Sequence, residues 1–281
     1  MTDTVESLMH SMIQHGTLNN RIYLMNLDKR DYPHIFPVLD KLAEEKEYTK
    51  IFAKIPKWAV EKAKDHQYLT EAIIPDFFNG NTDGYFLGKF LNDSRKQIDE
   101  KTEKRIKNVY QKFNSYLNKP KSSEKPQDAI IKHLTESDAD GLAQLYEQVF
   151  ASYPFPIYDA SYLKKMMNDD VKYYGIFEKD KLVAASAAEM DVNHQCVEMT
   201  DFATIPKARG KNYALALLNF MNEEMKKEEM KTGFTIARSV SFGMNITFAK
   251  AEYKYGGLLK NNTAIAGRLE SMNVLYKKLK T

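Results

Sequence analysis

Cysteine is almost absent: Cys196 is the one thiol in 281 residues. A lone thiol excludes an intramolecular disulfide framework and a cysteine-rich zinc site, and it points to a reduced cytoplasm as the compartment. Histidine pairs at ligand spacing are also missing. His10, His15, His34, His66, His133 and His194 are dispersed, so no metal is expected. No apolar run approaches membrane-spanning length, and Met1-Thr2-Asp3-Thr4 has neither the basic start nor the apolar core of a signal peptide, so neither a membrane nor export is expected. An excess of one charge is lacking too. With 41 basic against 38 acidic residues the net charge is +3 and no face reads as a basic stripe, which argues against a nucleic-acid partner. No repeat at a solenoid period is present.

What is present is a chain with 43% hydrophobic residues, enough for one large core or two modest ones, and two fit the usual domain size better. A charged stretch, 95–119, carries Ile98, Ile106, Val109, Tyr110, Phe113 and Leu117 near one helical stripe and reads as a solvated helix. Pro120-Lys121-Ser122-Ser123-Glu124-Lys125-Pro126 then has linker composition. The predicted organisation is an N-terminal α/β domain over 1–120, a linker over 121–126 and a second domain over 127–281. In the first, strands are expected at 21–27, 48–55, 68–74 (ended by Pro75) and 84–91, with helices at 31–47 and 58–67 and a turn at Phe77-Phe78-Asn79-Gly80-Asn81. Its exposed tyrosines and Glu71 are candidates to line a cleft. No internal oligomerisation signal is legible.

The second domain reads as strand 130–134, a helix capped by Ser137, a helix over 160–167, strands at 172–177, 181–190 and 196–204, a long helix, a strand at 234–238, a helix near 245–252 and closing strands. Its most informative segment joins the alternating strand Cys196–Thr204 to Arg209-Gly210-Lys211-Asn212-Tyr213-Ala214 and straight into the long helix. A strand, a basic turn and a helix N-terminus form an anion cradle. Unpaired N–H groups of the first helical turn and the positive end of the helix dipole hold a phosphate without a dedicated side chain.

That segment resembles motif A of the GCN5-related N-acetyltransferases (GNAT), R/Q-x-x-G-x-G/A, with Arg209 opening and Ala214 closing the pattern. Asn212 stands at the central glycine position and is among the few other residues that tolerate positive φ. The resemblance covers about 155 residues from Gln127 and implies an α/β fold, a mixed and mostly antiparallel sheet flanked by helices. Further tracts widen it to nearly the whole chain: Met199–Thr204, Gly243-Met244-Asn245, Gly256-Gly257, Asn261-Asn262-Thr263, Glu270–Val274, Arg21-Ile22-Tyr23-Leu24 and Lys50–Lys54. Together these look like the β-lysine N-acetyltransferases. The family implies acetyl-CoA as co-substrate, the terminal amine of β-lysine as acceptor, and lysine 2,3-aminomutase as functional partner. Acetyl transfer to lysine, a polyamine or an aminoglycoside, and a non-catalytic CoA-sensing module, are the alternatives.

The same resemblance assigns residues. Thr204, Ile205, Arg209, Gly210, Lys211, Asn212, Tyr213 and Ala214 fall to the pyrophosphate, and Asn245 to the pantetheine arm. Glu198, eleven residues before Arg209, stands where many of these enzymes carry a glutamate base. Period-two alternation places Glu198, Thr200 and Phe202 on one strand face and Asp201 on the other, as a rival base. Glu189 and Asp191 are candidates for the substrate ammonium groups, and Arg238 for its carboxylate or else a structural ion pair. The general acid of the superfamily is a tyrosine seven residues after the Asn245 position. Glu252 occupies it here, so Tyr253 is the expectation and Tyr255 the fallback, with core aromatics as the other reading. Cys196 reads as inert packing.

Overall fold

The structure is a computed structural model and describes residues 3–117, 119, 130–151, 153, 155–265 and 267–280. The expected linker, 121–126, lies outside the described residues. In the N-terminal half the strands are β1 (Thr4–Leu8), β2 (Ser11–Gly16), β3 (Arg21–Asn26), β4 (Lys50–Pro56), β5 (Leu69–Phe78) and β6 (Thr82–Phe90); the helices are α1 (Ile35–Glu45), α2 (Val60–Asp65), α3 (Asp93–Lys96) and α4 (Glu100–Leu117). The C-terminal half follows the order β7 (Ile130–His133), α5 (Ala139–Val149), α6 (Ala160–Asn168), β8 (Val171–Glu178), β9 (Lys181–Asp191), β10 (Cys196–Thr204), α7 (Tyr213–Lys227), β11 (Thr232–Arg238), α8 (Phe242–Lys250), β12 (Lys254–Ile265), β13 (Arg268–Lys278).

The described strands make one mixed sheet in the order β1-β2-β3-β4-β6-β5-β12-β13-β11-β10-β9-β8-β7. Only β3–β4 and β10–β11 pair in parallel, each through a crossover containing a helix, α1 and α7, as parallel neighbours require. The β8–β9 hairpin turns on Lys179 and Asp180, both at positive φ (47° and 62°), the twist that two-residue hairpins favour.

Local expectations fail in three places. Ser137 does not cap the helix: Thr135 forms a capping box with Asp138, which directly precedes α5. The β1–β2 hairpin lies before the first expected strand. And β5 does not stop at Pro75: its register with β6 shifts between Ile74 and Phe78, with Asp76 at φ 52°. A bulge accommodates a residue that cannot donate to the ladder, so Phe77 and Phe78 are buried strand residues rather than a turn.

The halves meet at β5 and β12, where Ala72 pairs with Gly257. Gly257 sits at φ 151°, and a Cβ there would lie 2.2 Å from the Glu71 carbonyl oxygen, so the close approach excludes every other residue. Beside it the Glu71 carboxylate accepts from Lys50 Nζ (2.7 Å) and from the Lys260 N–H (2.6 Å) in a buried ion pair. That commits Glu71 to the junction instead of a cleft. Arg95 donates to the Asn261 carbonyl at 2.8 Å, and the Asn19 side chain accepts from the Ala264 N–H at 2.7 Å. Apolar packing crosses the same line: Phe77 meets Phe234 edge-on at 5.0 Å, and Phe52, Phe86, Leu259, Met272 and Val274 share one core. Helix α4 buries Ile106, Val109 and Phe113. Phe113 joins the C-terminal core, so this helix covers the second half although it precedes the expected linker.

Candidate active site

Strands β10 and β11 pair only over Cys196–Glu198 with Thr232–Phe234, and beyond that they part. The separation opens one end of a cavity of about 410 Å³ whose walls come from both halves of the chain.

Glu189 and Glu198 face each other across β9 and β10 and line this cavity with Asp201. The expectation that Asp201 points to the opposite face is corrected by a β-bulge. From Thr200 to Ala203 three residue steps on β10 oppose two on β9, Ala187 to Ala185, and Asp201 adopts φ 55°. The extra residue resets the alternation, so both candidate bases reach the same space. Asp201 accepts hydrogen bonds from the Tyr153 hydroxyl and from Thr200 Oγ1.

Withdrawal from water governs these acids. Burial pushes Glu198 up to about 7, against the opposing pull of Lys54 and the Ile236 N–H. Asp201 is pushed to about 6 by burial, with the hydrogen bonds from Tyr153 and Thr200 holding it down. Glu189 is raised well above the usual carboxylate range, by burial and then by Glu198 and Asp201. Its side chain is exposed within the cavity. Three carboxylates around one space thus hold fewer than three negative charges at neutral pH. Such a group both attracts an ammonium ion and accepts a proton from it.

The other candidates separate cleanly. Asp191 lines the cavity wall, but its carboxylate is bound by its own turn, 2.8 Å from His194 Nδ1. Arg238 also reaches the wall. Its guanidinium forms a two-point pair with Glu270, both contacts at 2.7 Å, which supports the structural reading. Asn245 is buried and spent on architecture: Nδ2 donates to the Arg238 and Ser241 carbonyls (3.0 and 2.7 Å) and Oδ1 accepts from Asn273. Tyr253 has no exposure, donates to Asn222 at 2.8 Å and packs on Phe248, outside the cavity lining. Tyr255 packs at a tilt against Tyr110 of α4, ring centroids 4.7 Å apart, and does not line the cavity either. Neither tyrosine is placed to protonate a group in that space. Cys196 is buried, and burial pushes its thiol up to about 12, so it is a poor nucleophile.

At the far end of β10, Thr204 closes the ladder with Ala184, and Ile205 donates to the Val183 carbonyl at 3.0 Å. The chain then turns through Gly210 at φ 86° and Asn212 at φ 58°. Asn212 is the N-cap of α7 without a side-chain capping bond, so it leaves the first-turn N–H groups of Tyr213, Ala214 and Leu215 uncapped by its own side chain. Lys211 Nζ and the Tyr213 hydroxyl both go to Glu178. Arg209, whose Nε donates to the Thr204 carbonyl at 3.3 Å, is one of the exposed cations of the turn, with Lys207 and Lys211. The positive-φ turn and the uncapped helix start fit a pyrophosphate, and no side chain would have to leave.

Residue-level reading of the sequence missed the N-terminal contribution: Gln14, Arg21, Tyr23, Phe52 and Lys54 line the same cavity. A signal existed. Arg21, Tyr23 and Met25 alternate on β3, as Lys50, Phe52 and Lys54 do on β4, but which face met the other domain depended on the β5–β12 junction. Tyr153 was missed as well, since its partner is 48 residues away. Among the described residues no group of three His, Cys, Asp or Glu side chains is placed to hold a metal ion, and no helix is long and apolar enough to cross a membrane.

Comparison with known proteins agrees with this geometry. Residues 130–247 match the family model described as an acetyltransferase (GNAT) domain. A β-lysine N(6)-acetyltransferase of Methanococcus maripaludis is 40% identical over 95% of this chain and 96% of its own length. The N-acetyltransferase YodP of Bacillus subtilis is 31% identical over 96% of both chains. A second β-lysine N(6)-acetyltransferase, from Methanosarcina mazei, is 26% identical over 88% of this chain and 98% of its own.

Proposed function

Because the chain belongs to the family of GNAT-domain β-lysine N(6)-acetyltransferases, we propose that it transfers the acetyl group of acetyl-CoA to the terminal (ε) amine of β-lysine by direct attack of that amine. The observation that carries the reading is the convergence of Glu189, Glu198 and Asp201 on one cavity where β10 and β11 part.

An alkylamine has a pKa near 10.4, so its neutral, nucleophilic form costs roughly 4 to 5 kcal/mol to produce at pH 7. A carboxylate whose pKa is near the working pH removes that obstacle most effectively. Glu198, pushed to about 7, takes the proton; Asp201 is the rival. Glu189, beside Glu198, adds to the pull on the substrate ammonium. The turn from Arg209 to Ala214 and the start of α7 hold the pyrophosphate, with Thr204 and Ile205 leading into it. Acetyl-CoA supplies the activated acyl carbon. A backbone N–H of β10 past Glu198, which faces no paired strand once β11 diverges, stabilises the oxyanion. A thiol of pKa near 8.5 leaves as thiolate close to neutral pH, so the chemistry does not require Tyr253 or Tyr255.

A radical aminomutase of the lysine 2,3-aminomutase type supplies the substrate, and the cytoplasm is the place of both reactions. The test is acetyl transfer by the full-length protein to a panel of β-lysine, lysine, spermidine and an aminoglycoside. A higher kcat/KM for any other member replaces the acceptor, and acetyl-CoA binding without turnover of any amine replaces catalysis with sensing.

A further inference from the structure

The cavity carries charges of both signs: Glu189, Glu198 and Asp201 line it together with Gln14, Arg21 and Lys54 of the N-terminal half and Asn262 of β12. A cavity that needed only to hold a diamine would gain nothing from two cations. The Lys54 side chain forms no hydrogen bond or ion pair with any described residue. Its ammonium lies over the rings of Phe234 and Phe77, 5.6 and 5.9 Å from their centroids. Arg21 spends one nitrogen on the Asn262 carbonyl and Thr263. Its Nε, together with Gln14 Nε2 and Asn262 Oδ1, is buried with no hydrogen-bond partner among the described residues. The residues carrying these atoms are 5%, 3% and 1% exposed. Charged and polar groups buried without partners are costly unless something else meets them.

We infer that the N-terminal lining forms a carboxylate subsite, in which Lys54, supported by Arg21 and Gln14, holds the carboxylate of the acceptor while the acidic group takes the amine to be acetylated. The inference rests on the reading of the acceptor as a diamino acid. It gives the N-terminal half a part in choosing the amine, because β3 and β4 measure the substrate from its carboxylate and so present the far amine, rather than the near one, to Glu198. Lys54 binds substrate and takes no part in the chemistry. Because its ammonium is flanked by aromatic faces, it stays inside the cavity and does not collapse onto a carboxylate.

The experiment compares full-length wild type with Lys54→Met and Lys54→Arg on two matched pairs. One pair is β-lysine and pentane-1,4-diamine, which is β-lysine without its carboxylate; the other is lysine and pentane-1,5-diamine. Wild type should prefer β-lysine over its diamine by at least ~10²-fold in kcat/KM, as sites with dedicated polar partners do. Lys54→Met should erase most of that preference: kcat/KM for β-lysine should fall about 10²-fold further than kcat/KM for the diamine, whatever loss the two share through the effect of Lys54 on Glu198, and acetyl-CoA affinity should hold. Lys54→Arg should recover part of it. Equal losses on both members of a pair would mean that Lys54 acts only on the carboxylate cluster, and would overturn the subsite. A wild type that favours the diamine in both pairs overturns it without any variant. If lysine is turned over and β-lysine is not, the acceptor proposed above falls. The subsite then stands or falls by whether Lys54→Met abolishes the preference for lysine over pentane-1,5-diamine.

Discussion

Glu198 and Asp201, three residues apart on one strand, reach the same cavity because a single extra residue in β10 resets the alternation between them. Their sequence spacing predicts opposite faces. The bulge therefore turns a choice between two bases into a pair that titrates together with Glu189.

Glu198→Gln keeps the shape of the side chain and removes proton acceptance. We expect kcat to fall by roughly 10²-fold or more, with partial recovery at high pH where the amine ionises unaided, and acetyl-CoA affinity to remain. Steady-state kinetics from pH 6 to 10 check this. If Asp201→Asn shows the loss and Glu198→Gln stays active, the role belongs to Asp201.

Activity and stability should respond to pH in opposite directions. The reaction needs an ionised base, so kcat/KM should rise through an apparent pKa near 7 that belongs to the carboxylate cluster as a whole. The folded-state pKa values of Glu189, Glu198 and Asp201 lie above their unfolded values. Their stabilising contribution is thus fully present below the unfolded values, near pH 4, and for Asp201 and Glu198 it is lost as pH rises to about 6 and 7. Between about pH 4 and 7 the melting temperature of wild type should fall relative to that of Glu198→Gln. Parallel curves would mean that burial of Glu198 carries no such cost.

Gly210→Glu should abolish acetyl-CoA binding. Gly210 is held at φ 86°, so a side chain strains the turn, and a carboxylate there opposes a phosphate directly. Calorimetric titration of the folded variant with acetyl-CoA gives the answer; unchanged affinity would remove the cradle from Arg209–Ala214.

Tyr253→Phe deletes the hydroxyl bonded to Asn222 and strands a buried carbonyl oxygen, which should cost about 1 to 3 kcal/mol of stability. Activity below the melting transition should stay close to wild type, because Tyr253 does not line the cavity. A large fall in kcat at unchanged stability would restore it as the general acid.

Much of this protein was legible from its order of residues. The cradle was readable because it is local: a strand, a turn that only Gly210 and Asn212 tolerate at positive φ, and a helix start all lie within contiguous sequence. Most helices and strands were readable from periodicity for the same reason, and so was the acidic character of β9 and β10. The family itself emerged from scattered tracts whose combination mattered. What the sequence left open depended on contacts between distant segments. Period-two logic has no access to a bulge that is defined by the partner strand, so the side taken by Asp201 required β9. Whether Arg238, Asn245 and Tyr253 were free or committed required Glu270, Asn273 and Asn222. The delivery of Lys54 and Arg21 to the acidic centre required Gly257 to let two backbones close the sheet across Ala72, because a charge acts on a reacting group only at the distance that the tertiary fold sets.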